Sequence, residues 1–246
     1  NAFQQRFRDY IERDPETIRP NECWVADSRT LDFMVRVDVG GKWVPVRPQV
    51  CTILDVKSEY VVSCQLVVDS VTNAVIRNGL GDGISKYGRP SVFLIDNGAD
   101  YCAAGFTTPV IFTPKVSGGE LHAHSIMKAL DIEVRTALPY NAQTKVVERF
   151  FREMMEDDAF RRGYVGNTPA NRPASAEVWS KPENCNRLMS VQQAAEAIDD
   201  FIRAYHSKPS SGKYCKGLTP AQAFTPELRL TRPNLSLQEY FMAFLK

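Results

Sequence analysis

Three carboxylates fall at strand ends or inside apolar surroundings. Asp27 lies within the run CWVADSRTLDFMVRVDV, Asp96 closes the short apolar run SVFLIDNG, and Glu148 stands among Val147, Phe150, Phe151 and Met154 in NAQTKVVERFFREMM. Carboxylates brought together away from bulk water repel one another unless a cation neutralises them. An all-oxygen set selects a hard ion, Mg²⁺ or Mn²⁺. Two such ions in one site can activate an attacking oxygen and stabilise a leaving one, which is the chemistry of phosphodiester cleavage and transfer. For Glu148 a plainer reading stands beside this one. Lys145, three residues before it, and Arg152, four after, are spaced for a surface ion-pair ladder.

The elements that would have to gather these acids can be read from periodicity. Residues 1–20 read as a short helix and linker, and 21–165 as a core. CWVADSRTLDFMVRVDV alternates as a strand. Gly40–Gly41 gives a turn, and Pro45 and Pro48 demote the stretch around them to an edge or loop. QVCTILDV and YVVSCQLVV, joined by KSE, read as a hairpin, so three consecutive strands pair antiparallel. DSVTNAVIRNGLGDGISKYG reads as a helix capped by Asp69 or Ser70, with Gly79, Gly81 and Gly83 weakening its second half. SVFLI is a buried strand, 99–118 a loop, ELHAHSIMKALDI a helix and EVRTAL a strand, and then comes the helix of Glu148. The order β-β-β-α-β-α-β-α predicts an α/β layer fold with a mixed sheet. If the first and fourth strands are central neighbours, Asp27 and Asp96 lie side by side, and a helix packed across that edge brings Glu148 to them.

Residues 166–246 read as a loop-rich, helical and partly basic extension. Its helices are VQQAAEAIDDFIRAYH, a short one capped by Thr219 with Pro220 at its first position, and SLQEYFMAFL with a Ser236–Glu239 capping box. From Arg203 to Arg232 six Lys or Arg residues face one acid, Glu227. Lys208, Lys213 and Lys216 sit in the Gly/Ser-rich HSKPSSGKYCKG. A strip contacting the DNA backbone and a merely solvated loop both fit this segment. Lys145, Arg149 and Arg152 flank the proposed site and are candidates for phosphate contact, and Asn141 and Gln143 for positioning DNA.

The 246 residues are ample for a real core, and a formal net charge of +1 announces no global basic field. The near-neutral charge places most DNA affinity elsewhere. The chain opens at Asn1 in mixed-charge sequence and is read as part of something longer, with site-specific DNA binding expected before Asn1 and a basic region after Lys246. Cys23, Cys51, Cys64, Cys102, Cys185 and Cys215 form no C-x-x-C pair and suit neither zinc nor a disulfide framework. Reduced thiols in a cytoplasmic compartment are expected. No apolar run reaches membrane-spanning length. Other acids compete: Asp55 is read as a turn residue, and Asp32 or Asp100 would substitute if the strand register differs. Asp38 lies near the right region as well. His122 and His124 resemble a metal pair, but on a helix residues two apart point apart.

CWVADSRTLDF, with Trp24 three before Asp27, FLIDNGAD and NAQTKVVERFF together resemble the Asp-Asp-Glu motif of retroviral-integrase-type transposases. QTKVVERFF and the loop RRGYVGNTPANRP after it are most similar to phage Mu-type transposases, and the resemblance spans roughly 20–225. It implies an RNase H-like fold and Asp27, Asp96 and Glu148 as metal ligands and catalytic residues. It implies Mg²⁺, with Mn²⁺ as substitute and two ions per site. The activity implied is nicking at transposon 3′ ends, then attack of the freed 3′-OH on target DNA. The implied partners are DNA, other transposase subunits in a multimer on paired ends, and an ATPase that delivers target DNA. An RNase H-like nuclease that only hydrolyses, and a non-catalytic DNA-binding or assembly module, are the alternatives.

Overall fold

The structure, a computed structural model, describes residues 17–95, 110–112, 121–123, 126–136, 145–212, 214–215, 217–233 and 235. In chain order its elements are β1 (Cys23–Thr30), β2 (Val35–Val39), β3 (Lys42–Val46), β4 (Gln49–Asp55), β5 (Val61–Val67), α1 (Asn73–Tyr87), β6 (Val92–Ile95), β7 (Val110–Phe112) and β8 (Leu121–Ala123). Next come α2 (Ile126–Ala129), β9 (Glu133–Thr136), α3 (Lys145–Asp158), α4 (Ala176–Trp179), β10 (Met189–Ser190), α5 (Val191–Ser207) and α6 (Pro220–Ala223).

A five-stranded sheet, ordered β5-β4-β1-β6-β9, forms the centre. β5, β4 and β1 pair antiparallel, and β1, β6 and β9 pair parallel. This is the mixed sheet flanked by helices that the RNase H-like expectation describes, with first and fourth predicted strands adjacent. Both faces are covered, as central parallel strands require. Trp24, Ala26, Phe93 and Ile95 pack with Ile76 and Leu80 of α1 and Met127 of α2. Cys23, Val25, Val92 and Leu94 pack with Val146, Val147, Phe150 and Met154 of α3 and with Ala194 and Ile198 of α5. Side chains along a strand alternate between faces, so the apolar runs of β1 and β6 are divided residue by residue between two cores.

The glycines of α1 are contact residues rather than weak points, and the helix runs unbroken through them to Tyr87. A Cβ at Gly83 would lie 2.6 Å from Val62 Cγ1 and 3.0 Å from Trp24 Cζ3. Trp24 is fully buried and cannot give way. Gly83→Ala is therefore expected to destabilise the fold by about 1–3 kcal/mol, overriding the roughly 1 kcal/mol that alanine gains in a helix. Chemical denaturation of the variant beside wild type checks this.

Several predicted elements differ. The long first strand breaks after Thr30, because Leu31, Asp32 and Phe33 are all buried and alternation stops there. Beyond the break, β2 joins β3 and β10 in a separate three-stranded sheet, β10-β2-β3. Pro45, opposite Arg36, sits on its edge strand, where a missing N–H is tolerated. The α1 N-cap is Thr72, not Asp69 or Ser70. ELHAHSIMKALDI divides into β8, which pairs with β7 inside the predicted 99–118 loop, and the short α2. His122 thus lies in a strand, so the helical argument against a His122–His124 pair does not hold; His124 is outside the described residues. α5 and α6 form as expected, with Ser190 and Thr219 accepting N3 amide bonds. The predicted 236–245 helix and the 1–16 segment lie outside the described residues.

Candidate functional site

β1 carries Asp27 two residues beyond Val25, and so on the face covered by α3. Its backbone is level with Thr52 of β4. The side chain is half-buried, and Oδ1 accepts the Ser28 N–H at 2.7 Å. β6 runs parallel to β1 with Val25 level with Leu94. It ends at Ile95, and Asp96 lies outside the described residues. Asn141, Gln143, Lys213, Lys216 and Asp100 lie outside them too, as does the side chain of Lys145.

α3 is bound to this face by Val146, Val147, Phe150, Phe151 and Met154, which leaves Glu148 exposed in its first turn. The helix dipole favours a carboxylate there. Of the ion-pair ladder that the plainer reading offered, the Arg152 half does not form: Arg152 is exposed and, among the described residues, makes no ion pair with Glu148.

The far end of α3 is pinned to the end of β1. Asp158 Oδ2 accepts the Asp32 N–H at 3.0 Å and lies 2.9 Å from Arg29 Nη1. Burial pushes Asp158 up to about 6, with Arg29 pulling it down only in part. Asp32 is also paired, to Arg29 at 2.5 Å and to Arg47 at 2.9 Å. These four side chains make a structural cluster, which removes Asp32 as a substitute ligand. From this anchor Glu148 lies ten residues back, about 15 Å at 1.5 Å per residue. Asp27 lies five residues back, at most about 17 Å in extended chain.

Asp55 is buried as a turn residue, accepting from Asn21 N at 2.7 Å and from Ser58 N and Oγ at 2.8 and 2.6 Å. Burial still raises its pKa to about 6.

Arg149 does not face a solvent-side ligand. Its guanidinium pairs with Glu59, which is 1% exposed and held by the Ser210 hydroxyl at 2.7 Å. The loop after α5 wraps this pair, and a side chain at Gly212 would collide with both Glu59 and Arg149. Cys215 fastens the loop further, donating from Sγ to Ser58 O at 3.0 Å. Of the segment that could be a DNA-contact strip or a solvated loop, the described basic residues have partners within the chain, with Lys208 and Arg203 remaining largely exposed. Lys208 pairs with Glu153 at 2.9 Å, Arg203 with Asp200 and Arg232 with Asp131, and Arg229 lies over the Tyr87 and Phe224 rings. Glu59 escaped the sequence reading because its partner is 90 residues away; a lone acid after a strand gives no signal of it.

His206 is half-buried beside this loop. It stacks on Tyr60 at 3.8 Å, and Nε2 accepts the Val61 N–H at 2.9 Å. Burial lowers its pKa to about 4. Between pH 6.5 and 4 the unfolded chain binds a proton here that the folded chain refuses, so this contribution is lost as pH falls. Asp55 and Asp158 act oppositely: the folded state keeps protons that the unfolded state releases, and stability falls as pH rises from about 4 to 6. His206→Gln isolates the histidine. Wild type is expected to lose about 2 kcal/mol more than the variant between pH 7.5 and 5, read from urea midpoints at both pH values.

Among the described residues no three His, Cys, Asp or Glu side chains gather into an ion-binding group, and no helix is long and apolar enough to cross a membrane. Of the described cysteines, Cys23, Cys51, Cys64, Cys185 and Cys215 are free thiols.

No protein-family model and no curated protein matches the chain. Among solved structures it is similar to the catalytic core domain of BIV integrase, at 17% identity over 83% of this chain and 93% of that one, with a TM-score of 0.48. It is similar to a chain of the simian T-cell lymphotropic virus intasome in complex with PP2A regulatory subunit B56 gamma, at 18% identity over 89% and 59%, TM-score 0.46. A third is the HTLV-2 integrase catalytic core domain in complex with magnesium, at 13% identity over 85% and 99%, TM-score 0.43. Likeness at this level assigns no role to individual residues.

Proposed function

We propose that this chain is the catalytic core of a DNA-transposing polynucleotidyl transferase of the phage Mu type, with Asp27, Asp96 and Glu148 as its acids. The observation that carries the reading is the register at the sheet centre. Cys23 and Val25 of β1, and Val92 and Leu94 of β6, face α3. The next positions in these two period-two series are Asp27 and Asp96. Glu148 is exposed on the helix covering that face, about 15 Å along α3 from the Asp158 anchor, and Asp27 is at most about 17 Å along the chain from the same anchor.

The donor set is all oxygen and half-open at Asp27, which fits a hard divalent cation. Mg²⁺ or Mn²⁺ held by the three acids would supply Lewis-acid stabilisation of the phosphoryl oxygens and acidify the attacking hydroxyl. The protein's own part is to hold these carboxylates on a rigid strand pair and an anchored helix, so that little reorganisation accompanies reaction. In the first reaction water cleaves the bond to the 3′ oxygen at an element end. In the second the freed 3′-OH attacks a target phosphodiester, and a target 3′ oxygen leaves. The RRGYVGNTPANRP loop after α3 supports the Mu-type assignment. Assembly into a multimer on paired ends, delivery of target DNA by an ATPase, and a cytoplasmic setting belong to the same proposal.

The test is incubation of a pre-nicked DNA end and a supercoiled target plasmid with Mg²⁺. Joined product is expected from wild type, and none from Asp96→Asn or Glu148→Gln. Hydrolysis without joining would favour the nuclease, and joining at full rate by either variant would refute the assignment.

A further inference from the structure

A cavity of about 350 Å³ opens where the loop after α3 meets the end of β1 and the start of β4. Met34 and Val165 give it a half-buried and a buried apolar wall, and Arg47, Arg172, Asn167, Thr168 and Ser180 line it as well. We infer that this cavity receives one unpaired nucleotide of a DNA strand, with the base against Met34 and Val165 and its phosphate met by the guanidinium groups of Arg47 and Arg172. The inference deepens the proposed function and rests on it for the identity of the nucleic acid.

Four observations carry it. The volume falls in the range of small-ligand sites, far beyond what a lone phosphate fills, and the apolar Met34 and Val165 beside polar Asn167, Thr168 and Ser180 suit the face and edge of a base rather than an ion. The two arginines are donors with capacity to spare. Arg47 is held by Nε on Leu31 O at 3.0 Å and by Nη2 on Asp32 at 2.9 Å, which fixes the guanidinium and leaves Nη1 available. Arg172 is exposed, and among the described residues it has no hydrogen bond or ion pair.

The wall is also preformed. Asn171 Oδ1 accepts from Asn167 N, Thr168 N and Thr168 Oγ1 at 3.1, 2.9 and 3.1 Å, so the loop satisfies its own polar groups before any ligand arrives. Gly163 (φ +90) closes against Met34, whose N–H donates to Gly163 O at 2.9 Å. No side chain fits at Gly163, since a Cβ there would lie 2.7 Å from Met34 O.

Finally, the cavity is tied to the candidate site. Val165 N donates to Asp32 O at 2.7 Å, and Asp32 is at most about 17 Å along the chain from Asp27. At 3.4 Å per stacked nucleotide this corresponds to about five nucleotides, within reach of a strand reacting at the acids.

The experiment is fluorescence anisotropy with the full 246-residue chain and three labelled probes: a blunt DNA duplex, the same duplex with a short oligo-dT tail, and the tailed duplex with abasic sites replacing the tail bases. Wild type is expected to bind the dT tail about tenfold more tightly than the blunt duplex, with the abasic tail between them. Arg172→Glu should remove the tail advantage and lower the slope of log K against log salt by about 1. Met34→Trp, which fills the cavity, should make the dT and abasic tails bind equally. Equal binding of all three probes by wild type would overturn the inference. So would a tail preference that survives Arg172→Glu, a surface change that leaves the fold untouched. Failure of the joining reaction with tail preference intact would sink the transposase reading and leave the nucleotide site standing.

Discussion

Asp27→Asn is expected to abolish DNA joining, by about three orders of magnitude or more, while the protein stays folded. The loss corresponds to about 4 kcal/mol of transition-state stabilisation. On the proposed reading it comes from removing one anionic oxygen from a set of three carboxylates. Asparagine keeps the size and the Oδ1 that accepts the Ser28 N–H, and the side chain is only half-buried. The change in unfolding free energy should therefore stay within about 1 kcal/mol. Quantifying joined product against a dilution series of wild type, beside a denaturation curve, separates the two effects. Joining above one-hundredth of wild type would remove Asp27 from the chemistry. A lost denaturation transition would make Asp27 a structural residue instead.

The largest expected loss of stability is at Arg149. Arg149→Ala leaves the Glu59 carboxylate buried, with Ser210 as its remaining side-chain donor and a void beneath the wrapped loop. Removing one partner of a buried ion pair costs about 3–5 kcal/mol. The Arg149 side chain is 21% exposed, so solvent screening places the expected loss nearer to about 3 kcal/mol. Glu59→Gln combined with Arg149→Met should recover most of it, because neither charge then remains unpaired. Urea midpoints of the single and double variants, at constant m-value, measure the coupling. A single variant within about 1 kcal/mol of wild type would show that the loop after α5 is not fastened by this pair.

The legible parts of this fold are those whose signal is local. QVCTILD and VVSCQLV alternate or run apolar over strand length with a tight connection, and they form β4 and β5. Val146, Val147, Phe150, Phe151 and Met154 trace one helical stripe, and α3 buries that stripe. The hidden parts depend on partners distant in sequence. Asp32 looks like a surface acid or a stray ligand until Arg29, Arg47 and Asp158 are seen around it. Gly83 reads as a flaw in a helix until Trp24 and Val62 are found against it. Arg149 reads as a phosphate contact because Glu59 belongs to a hairpin 90 residues earlier. The candidate acids stand out as carboxylates at strand ends or inside apolar surroundings, which is also a local signal. That is why Asp27 could be singled out although neither its neighbour strand nor its covering helix lies nearby in the chain.

One buried residue near the start of the core ties its most distant parts together. Asn21, in a left-handed conformation (φ 68), receives the Trp24 indole N–H at 3.1 Å and donates to Tyr87 O at 2.8 Å and Leu230 O at 3.1 Å. The last of these closes a separation of 209 residues, and Leu230 N returns a bond to Pro20 O at 2.7 Å. With β1 paired to β4 and β6, Pro20 and Asn21 are already held in place, so the Leu230 segment meets a formed surface and the long sequence separation adds little to the cost of docking it. Without that segment one amide N–H of the buried Asn21 would lose its acceptor, so a stretch far along the chain is part of what keeps the entrance to the central strand dry.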